Sequence, residues 1–322
     1  MQHSLVSIAM CTYNGQRFLH EQLDSILNQT YANIELIICD DLSTDNTKEI
    51  IQSYMQKDSR IKFYPNSQNL GYIKNFEKAI SLCSGEFIAL CDQDDIFKDR
   101  KIELFIANIK DNLLIYSDAI IIGTDSKDTK KELVRPNRCL ISGSCNKALL
   151  LGNCISGNTL MFKKELLQHI LPIPQEISYH DIWIAFIAST CGTVTYTDEA
   201  MTYYRRYPEQ VTHSPKVISE NFIDKLKQKQ DIKIKEMRVT LQDLEILATI
   251  PKLKNSNTLD IIKLFIEHFH NYKNIYFNIS LYKILMRYND EVFAILKKSK
   301  RKRRAFRSAV GLKLHKLTLF KL

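Results

Sequence analysis

The chain has 322 residues, of which 45% are hydrophobic and 25% are charged. This length and composition predict a buried core with room for one large domain and a smaller one, and they exclude wholesale disorder. The net charge of +9 is unevenly placed, because residues 1–215 carry −5 and residues 216–322 carry +14. We therefore expect the two parts to meet different partners.

The sequence predicts a protein that stays in the cytoplasm. All eight cysteines lie between Cys11 and Cys191 without a CxxC spacing, which is typical of reduced, buried thiols. The N-terminus runs directly into an apolar strand without the basic region of a signal peptide. No apolar run reaches the roughly 18 to 20 residues that a membrane span needs. We expect a cytoplasmic location, peripheral at the inner face of the membrane.

The first 125 residues alternate between two hydrophobic periodicities. Nearly continuous apolar runs predict strands at 5–10, 34–39, 61–64, 86–91 and 114–122. Between them, apolar residues at helical spacing predict four helices, whose stripes begin at Leu19, Ile50, Ile73 and Ile102. This alternation is typical of an α/β fold, in which a mainly parallel sheet has helices on both faces.

The rest of the chain changes character twice. Residues 126–158 have few periodic apolar positions and predict loops and short elements, whereas 180–191 predict a buried helix that ends at Gly192, followed by a strand at 193–197. From about residue 216 the chain is lysine-rich with helical spacing. We expect an α/β domain at 1–215 and a basic helical region at 216–322.

Polar clusters follow three of the predicted strands: TYNG at 12–15, DDLSTD at 40–45 and DQDD at 92–95. Ligands of open parallel sheets bind beyond the carboxyl ends of the strands, so these clusters are expected to converge. Helix capping is the better interpretation of residues 43–46. It does not explain three aspartates at 92–95, which repel one another unless a cation lies among them.

A divalent metal site is therefore favoured over a solvated acidic loop at residues 92–95. Carboxylate oxygens without His or Cys suit Mg²⁺ or Mn²⁺. Such an ion takes one or two carboxylates and completes its shell with water and substrate phosphates. The ion would let an acidic pocket hold an anionic donor.

Three segments together resemble glycosyltransferase family 2, whose members have the Rossmann-like GT-A fold. They read VSIAMCTYNGQRFLHEQLDSILNQTY, IELIICDDLSTDNT and NLGYIKNFEKAISLCSGEFIALCDQDD. The resemblance covers roughly residues 5–212 and, with HDIW at 180–183, is greatest to the bacterial rhamnosyltransferase-like branch. It implies an inverting, Mn²⁺- or Mg²⁺-dependent transfer of a sugar from a nucleotide diphosphate sugar to a glycan acceptor, which can be lipid-linked. It also implies a role in cell-surface polysaccharide synthesis, such as O-antigen or capsule.

Carried over by position, the resemblance also implies site residues. Asp95, with Asp94, would bind the metal, and Asp181 would be the general base. His180 and Trp183 would contact the acceptor. Tyr13 and Asp41 would hold the nucleotide base. The full set of donor-binding candidates is Thr12, Tyr13, Asn14, Asp41, Lys74, Asn75, Asp92, Asp94 and Arg205.

Some of these roles have alternatives. Asp181 could be a helix N-cap, Trp183 a core residue and Lys74 a solvated lysine. Related enzymes commonly have a Tyr-Arg-x-His motif with an Asn three residues later, where this chain has Tyr207 and Gln210. Either Tyr207 or His213 could take the place of that histidine, and His213 could equally be a surface residue. Arg205 remains a candidate to balance the charge of the leaving diphosphate.

Two other functional classes compete with sugar transfer. A sugar nucleotidyltransferase needs a Gly-rich loop with Arg or Lys after the first strand, and TYNG is not one. A non-catalytic protein that binds a nucleotide sugar or a nucleic acid is the other class. The intact acidic cluster at 92–95 argues against a catalytically inactive relative. The net negative charge of residues 1–215 argues against nucleic acid as a partner.

The C-terminal region predicts a contact with an anionic membrane surface. Eight of the eleven residues at 297–307 are Lys or Arg, and Phe306, Val310, Leu314 and Leu317 follow at roughly helical spacing. A basic segment with an apolar stripe is typical of an interfacial helix. A solvated basic tail and a helix packed on the catalytic domain are the alternatives.

Overall fold

The computed structural model describes residues 4–134, 138–208, 210 and 222–311, without the side chains of 222–230 and 233. It forms two compact units. The first unit comprises Met1–Asn146, Asn153–Gln175 and Tyr179–Tyr207. The second, which we call the helical unit, comprises Lys147–Gly152, Glu176–Ser178 and Pro208–Leu322.

Eleven strands are found in the described chain, all within the first unit. They are β1 (Val6–Thr12), β2 (Ile34–Asp40), β3 (Ile61–Pro65), β4 (Phe87–Cys91), β5 (Ile96–Phe97), β6 (Leu114–Tyr116), β7 (Ala119–Ile122), β8 (Asp128–Glu132), β9 (Leu160–Lys163), β10 (Val194–Tyr196) and β11 (Thr202–Arg205).

Seven α-helices lie within the described residues up to 191, and the first four match the predicted apolar stripes. They are α1 (Leu19–Leu27), α2 (Thr47–Met55), α3 (Tyr72–Ser81), α4 (Lys101–Ile109), α5 (Asn146–Leu149), α6 (Leu167–Ile170) and α7 (His180–Cys191). Short 3₁₀ turns lie at Gly157–Thr159 and Lys164–Leu166.

The strands form a seven-stranded sheet in the order β10-β6-β9-β4-β1-β2-β3 and a four-stranded sheet in the order β5-β11-β7-β8. The larger sheet is parallel except for β9, which runs antiparallel to β4 and β6. In its centre Thr12 of β1 is in register with Asp40 of β2, and Met10 of β1 with Cys91 of β4. The carboxyl ends of β1, β2 and β4 therefore meet at one edge, as the sequence predicted.

The prediction of a single strand at 114–122 is wrong. Two polar residues divide it, and β6 joins the larger sheet whereas β7 joins the smaller one. Ser117 donates its N–H to the Thr159 carbonyl (3.1 Å), and an Asp118 carboxylate oxygen accepts the N–H groups of Ala119 (2.8 Å) and Val134 (3.0 Å). These bonds satisfy the backbone where the chain leaves one sheet for the other.

The helical unit contains α8 (Phe222–Ala248), α9 (Asn257–Asn271), α10 (Ile279–Arg287), α11 (Asn289–Val292) and α12 (Lys298–Ala309), with a 3₁₀ turn at Pro251–Leu253. Side-chain oxygens cap two of these helices, because Ser256 accepts the N–H of Leu259 and Asn278 that of Leu281. No helix in the described chain is long and apolar enough to cross a membrane.

Candidate active site

The acidic loop at residues 92–95 follows β4 and leads into β5, which pairs with β11. Asp95 is completely buried, and both of its carboxylate oxygens accept hydrogen bonds. One accepts the Arg205 N–H (2.9 Å), and the other accepts the side-chain amide of Asn158. Asp94 is half-buried and accepts the Tyr207 hydroxyl (2.6 Å). Of the two predicted metal ligands, Asp94 is therefore the more accessible.

The carboxylates in this region act on one another electrostatically. Burial, followed by the charges of Asp94 and Asp181, raises the pKa of Asp92 to about 7. Burial, together with the charges of Asp94 and Asp92, also raises the pKa of Asp95 well above its ordinary range. The adjacent residues Gly157 and Asn158 bond Asp181 and Asp95, so the loop and Asp181 lie near each other although they are far apart in sequence. We call the carboxylates of Asp92, Asp94, Asp95 and Asp181 the acidic pocket.

The residues of this pocket fit a metal ion that is held partly by its substrate. In the part of the chain that the structure describes, no three or more His, Cys, Asp or Glu side chains are arranged to hold a metal. Mg²⁺ needs only one or two protein carboxylates, with water and phosphates as its other ligands. Asp92 and Asp94 supply two, and their mutual repulsion would be relieved by a cation.

Asp181 lies in the first turn of α7, and the N-cap residue of that helix is Tyr179. One Asp181 carboxylate oxygen accepts the Gly157 N–H (3.1 Å) from the neighbouring 3₁₀ turn. Burial raises the pKa of Asp181 to about 6, although this N–H group lowers it. A carboxylate with this pKa is ionised near neutral pH and is a stronger base than an exposed one.

His180 and Trp183, the predicted acceptor contacts, are both buried. The Trp183 indole N–H donates to the Ile170 carbonyl (2.8 Å), which favours the alternative that Trp183 is a core residue. His180 stacks on Phe76 with ring centroids 4.0 Å apart, and burial lowers its pKa to about 3, so it is neutral. Within the described residues neither ring nitrogen of His180 has a hydrogen-bond partner.

Tyr13 and Gln93 connect the first strand end to the acidic loop. The Tyr13 N–H donates to the Gln93 side-chain oxygen (2.8 Å), and the Gln93 amide donates back to the Tyr13 carbonyl (3.0 Å). The ring of Tyr13 remains 51% exposed at the sheet edge. A Cβ at Gly15 would lie 2.2 Å from the Gln93 side-chain oxygen, so the chain needs glycine there unless Gln93 moves. The sequence analysis did not identify Gln93.

Thr12 and Asn14 support the loops of this edge. Thr12 is buried and donates its hydroxyl to Asp40 (2.9 Å). Asn14 has a positive φ of 49°, a conformation that Asn tolerates better than most residues. Its N–H donates to the Ser43 hydroxyl (2.9 Å), and its side-chain oxygen accepts the Thr44 N–H (2.9 Å). Thr12 and Asn14 were predicted to bind the nucleotide-sugar donor, and in the structure these polar groups bond other residues of the protein.

Asp41 is buried and organises the loop after β3. Its carboxylate accepts the N–H groups of Leu70 (2.7 Å) and Gly71 (2.9 Å) and the side-chain amide of Asn66 (2.9 Å). A carboxylate offers about four acceptor positions, so about one remains for a nucleotide N–H.

Lys74 and Asn75 were predicted to contact phosphate, but their side chains bond within the protein. Lys74 donates to Glu77 (2.8 Å) and to the Ile173 carbonyl (2.9 Å). Asn75 is buried and donates to the Cys39 carbonyl (2.9 Å). The Asn75 bond connects α3 to β2. The polar side-chain groups of both residues bond protein atoms in the positions where the sequence predicted phosphate contacts.

Arg205 was predicted to balance the leaving diphosphate, and its burial corrects this prediction. Its side chain is completely buried beneath Phe18, whose ring centroid is 4.3 Å from the guanidinium carbon. The guanidinium donates to the Asp94 carbonyl (2.8 Å) and the Gly123 carbonyl (3.0 Å). It also forms an ion pair with Glu21 (3.1 Å). Arg205 therefore holds the acidic loop in place from inside the protein.

Two further residues support the site: Tyr207, which the sequence places at the motif-histidine position, and Lys101, which the sequence patterns did not single out. Tyr207 stands where related enzymes have histidine, and its hydroxyl donates to Asp94. His213, the other candidate for that position, lies outside the described residues. Lys101 is completely buried and donates to the Asn158 carbonyl (2.6 Å). Burial lowers the pKa of Lys101 to about 7. Its position on the apolar stripe of α4, four residues before Phe105, was the available signal.

We predict that Arg205→Lys lowers the free energy of unfolding by about 3 kcal/mol, because a lysine cannot replace the forked bonds of a buried guanidinium. Thermal or denaturant unfolding of the protein without ligands measures this. The matched control is Arg206→Lys at the next, exposed position, which should change stability by less than about 0.5 kcal/mol. Equal stability of the two variants would contradict the structural role of Arg205.

Comparison with known proteins identifies the family of this chain. The family model described as "Glycosyl transferase family 2" matches residues 7–171. An uncharacterised glycosyltransferase of Haemophilus influenzae is 29% identical over 223 residues, which are 65% of this chain and 67% of that protein. The UDP-Glc:alpha-D-GlcNAc-diphosphoundecaprenol beta-1,3-glucosyltransferase WfgD of Escherichia coli is 34% identical over 204 residues, 60% of this chain and 76% of that protein.

Two solved structures share the fold at low sequence identity. S. aureus TarS 1–349 in complex with UDP has a TM-score of 0.54 and 17% identity, covering 94% of this chain and 87% of that one. The mannosyltransferase PcManGT from Pyrobaculum calidifontis, in complex with GDP-Man and Mn²⁺, has a TM-score of 0.53 and 13% identity, covering 95% and 86%. The predicted GT-A-type α/β fold is confirmed, and the chain is a glycosyltransferase that belongs to glycosyltransferase family 2.

Proposed function

We propose that this glycosyltransferase moves a sugar from a nucleotide diphosphate sugar to a glycan hydroxyl with inversion, assisted by Mn²⁺ or Mg²⁺. The observation that carries the proposal is the acidic pocket, in which adjacent residues of one 3₁₀ turn bond Asp95 and Asp181 and the Tyr207 hydroxyl bonds Asp94. One base and one cation suit a single displacement, which inverts the sugar carbon. Family membership decides against the sugar nucleotidyltransferase that the sequence left open.

Asp181 is proposed as the general base. It is held by the Gly157 N–H, and burial keeps its pKa near 6, so it can accept the acceptor's proton near neutral pH. The neighbouring His180 is neutral and adds no competing charge. Its unpartnered ring nitrogens support the predicted acceptor contact.

Asp94, assisted by Asp92, is proposed to hold the cation together with the donor phosphates. A bound cation would supply positive charge to the departing diphosphate. Tyr207 orients Asp94 through its hydroxyl, and Asp95 holds the loop through Asn158 and Arg205. Asp95 is thus proposed as a positioning residue rather than a metal ligand.

Tyr13 and Asp41 are proposed to bind the nucleotide base. The Tyr13 ring is exposed at the sheet edge and offers a stacking surface, and the Asp41 carboxylate can accept a base N–H. The E. coli relative acts on a diphosphoundecaprenol acceptor, which supports a lipid-linked glycan acceptor and a role in cell-surface polysaccharide synthesis for this chain.

We predict that Asp181→Asn lowers turnover by about 10² to 10⁴-fold, because a general base contributes that much, while donor affinity is unchanged. Since the ionised base is the active form, wild-type turnover should fall about tenfold per pH unit below the pKa of about 6. Steady-state rates between pH 4.5 and 8 and calorimetric titration of the donor measure both effects. Loss of donor binding in the variant would contradict the assignment.

We predict that Asp94→Asn abolishes cation-dependent transfer and leaves thermal stability unchanged, because Asp94 is half-buried and is proposed as the ligand. Activity against Mn²⁺ concentration, and Mn²⁺ titration in the presence of a nucleoside diphosphate, measure this. Asp99→Asn removes the same charge at an exposed position and should behave as wild type. Full activity of the wild-type protein in excess chelator would overturn the metal assignment.

We further propose that α12 contacts an anionic membrane surface at the inner face. Lys302 and Arg303 are exposed on this helix, and the nearby Phe306 is 48% exposed while its ring contacts Phe277. Exposed basic and aromatic side chains together are typical of an interfacial helix. The apolar residues at 312–322 that the sequence analysis included lie outside the described residues.

We predict that Lys302→Gln with Arg303→Gln weakens binding to anionic vesicles about 30-fold, because each basic residue near an anionic leaflet contributes about 1 kcal/mol. Sedimentation with anionic and neutral vesicles measures this. Deleting α12 is a poor test because Ala305 and Ala309 are buried. The matched control is Lys252→Gln with Lys254→Gln, two exposed lysines outside α12, and an equal loss there would contradict the proposal.

A further inference from the structure

Gln93 stands between Asp92 and Asp94 in the acidic loop, and the proposed transfer reaction gives it no role. Its side-chain amide bonds both main-chain polar groups of Tyr13. The amide oxygen accepts the Tyr13 N–H (2.8 Å), and the amide nitrogen donates to the Tyr13 carbonyl (3.0 Å). A residue has two rotatable backbone angles, and holding its N–H and its C=O together restricts both of them. Gln93 therefore sets the direction in which the Tyr13 side chain leaves the backbone.

The residues that follow Tyr13 are held from the other side, by the segment after β2. The main-chain N–H groups of Asn14, Gly15 and Gln16 donate to the side chains of Ser43 (2.9 Å), Thr47 (2.8 Å) and Asp45 (3.1 Å) respectively. Loss of the Gln93 side chain therefore leaves this loop attached to the fold. The two Gln93 bonds lie at an exposed position, where water can replace a lost partner at small cost. Their main effect is on the orientation of Tyr13 rather than on folding stability.

Gly15 gives a second, independent view of the same contact. A Cβ at this position would lie 2.2 Å from Oε1, 2.6 Å from Cδ and 3.2 Å from Cγ of Gln93. The φ of Gly15 is outside the left-handed region, so its backbone conformation is one that alanine can adopt. The side chain of Gln93, and not the backbone, is thus what requires glycine here. An alanine at this position would displace Gln93 from Tyr13.

We propose that Gln93 is a positioning residue, which holds Tyr13 in the orientation that stacks on the nucleotide base and so makes the site prefer a nucleoside diphosphate over a base-free diphosphate. This inference rests on the proposed function, in which Tyr13 binds the base and Asp94 holds the cation with the donor phosphates. Because Gln93 precedes Asp94 in the chain, the acidic loop supports both ends of the nucleoside diphosphate. Such preorganisation increases affinity because less ordering remains to be done on binding.

The test is calorimetric titration of the full-length protein with UDP, dTDP, GDP and inorganic pyrophosphate, each in the presence of Mn²⁺. Gln93→Ala should weaken binding of the nucleoside diphosphate that the wild-type protein prefers by at least about fivefold, the low end of what base–aromatic stacking contributes. It should change pyrophosphate binding by less than about twofold, because pyrophosphate uses the cation and has no base. Equal weakening of both ligands would assign the effect to the cation site and overturn the proposal, as would unchanged binding of the nucleoside diphosphate.

The matched control is Gln16→Ala in the same loop. The Gln16 side-chain oxygen also accepts one main-chain N–H, that of Asn46 (3.0 Å), but it makes no bond to Tyr13. This variant should therefore bind both kinds of ligand as the wild-type protein does. A loss of nucleoside diphosphate binding equal to that of Gln93→Ala would contradict a specific role for Gln93.

Two double variants test whether Gln93 acts through Tyr13. Tyr13→Ala should weaken nucleoside diphosphate binding, and adding Gln93→Ala should weaken it further by less than about twofold, because no ring remains to be oriented. Gly15→Ala should reproduce the loss seen with Gln93→Ala, and it should have no further effect once residue 93 is alanine. Fully additive losses in either pair would overturn the proposal. Since Gln93→Ala and Gly15→Ala remove the same contact by different changes, the test remains decisive if one of them fails to fold.

Donor kinetics separate this inference from the proposed function. Gln93→Ala should raise the donor KM while kcat stays within about twofold, because contacts to the base are made equally in the ground state and the transition state. A lower kcat at unchanged KM would overturn the proposal. Wild-type protein that binds none of the nucleoside diphosphates would refute the transfer proposal and this inference together. Wild-type binding that Gln93→Ala leaves unaltered would refute this inference alone.

Discussion

The buried carboxylate of Asp95 is the contact on which the arrangement of the acidic pocket depends. It joins the end of β4 to β11 through the Arg205 N–H and to the 3₁₀ turn at Gly157–Thr159 through Asn158. Burying a carboxylate costs free energy of folding unless its oxygens accept hydrogen bonds. These two bonds therefore offset the cost of burying Asp95. The same turn provides the Gly157 N–H that Asp181 accepts. One buried side chain thus sets the position of the acidic loop relative to the first turn of α7.

Two buried basic side chains stabilise the backbone around the acidic pocket. Lys101 and Arg205 are completely buried, and they donate to the main-chain carbonyls of Asn158 and Asp94 respectively. Because both side chains donate to the backbone, they stabilise the loop conformation while leaving the half-buried carboxylates of Asp92 and Asp94 close together. The result is a group of carboxylates whose burial and mutual charge raise the pKa of Asp92 and Asp95, and whose repulsion a bound cation would relieve.

The two units meet different physical demands. The first unit must hold several carboxylates near one another, and it does so with short bonds from buried donors. The helical unit is rich in lysine and arginine, and it exposes Lys302, Arg303 and Phe306 on α12. We propose a membrane surface as the partner of the helical unit and a nucleotide diphosphate sugar as the partner of the acidic pocket.

The sequence by itself determined the central strands and the main helices of the first unit, and the edge where its polar residues gather. Apolar periodicity depends on neighbours along the chain, so α1, α2, α3 and α4 and the central strands could be predicted. The rule that parallel strands end at one edge then brought together the clusters after β1, β2 and β4. The error at 114–122 arose because a partner 16 residues away, Val134, satisfies Asp118 where the strand changes sheets.

Only the tertiary structure decided which partner each polar side chain takes. A guanidinium, an amide and an ammonium can each bind phosphate or a protein oxygen, and the residue type does not distinguish the two. Arg205 bonds Asp94 and Gly123, Asn75 bonds Cys39 and Lys74 bonds Ile173, because the fold brings those carbonyls within 3.0 Å of them. Buried polar groups must find partners where water is excluded, and those partners come from segments that are distant in sequence.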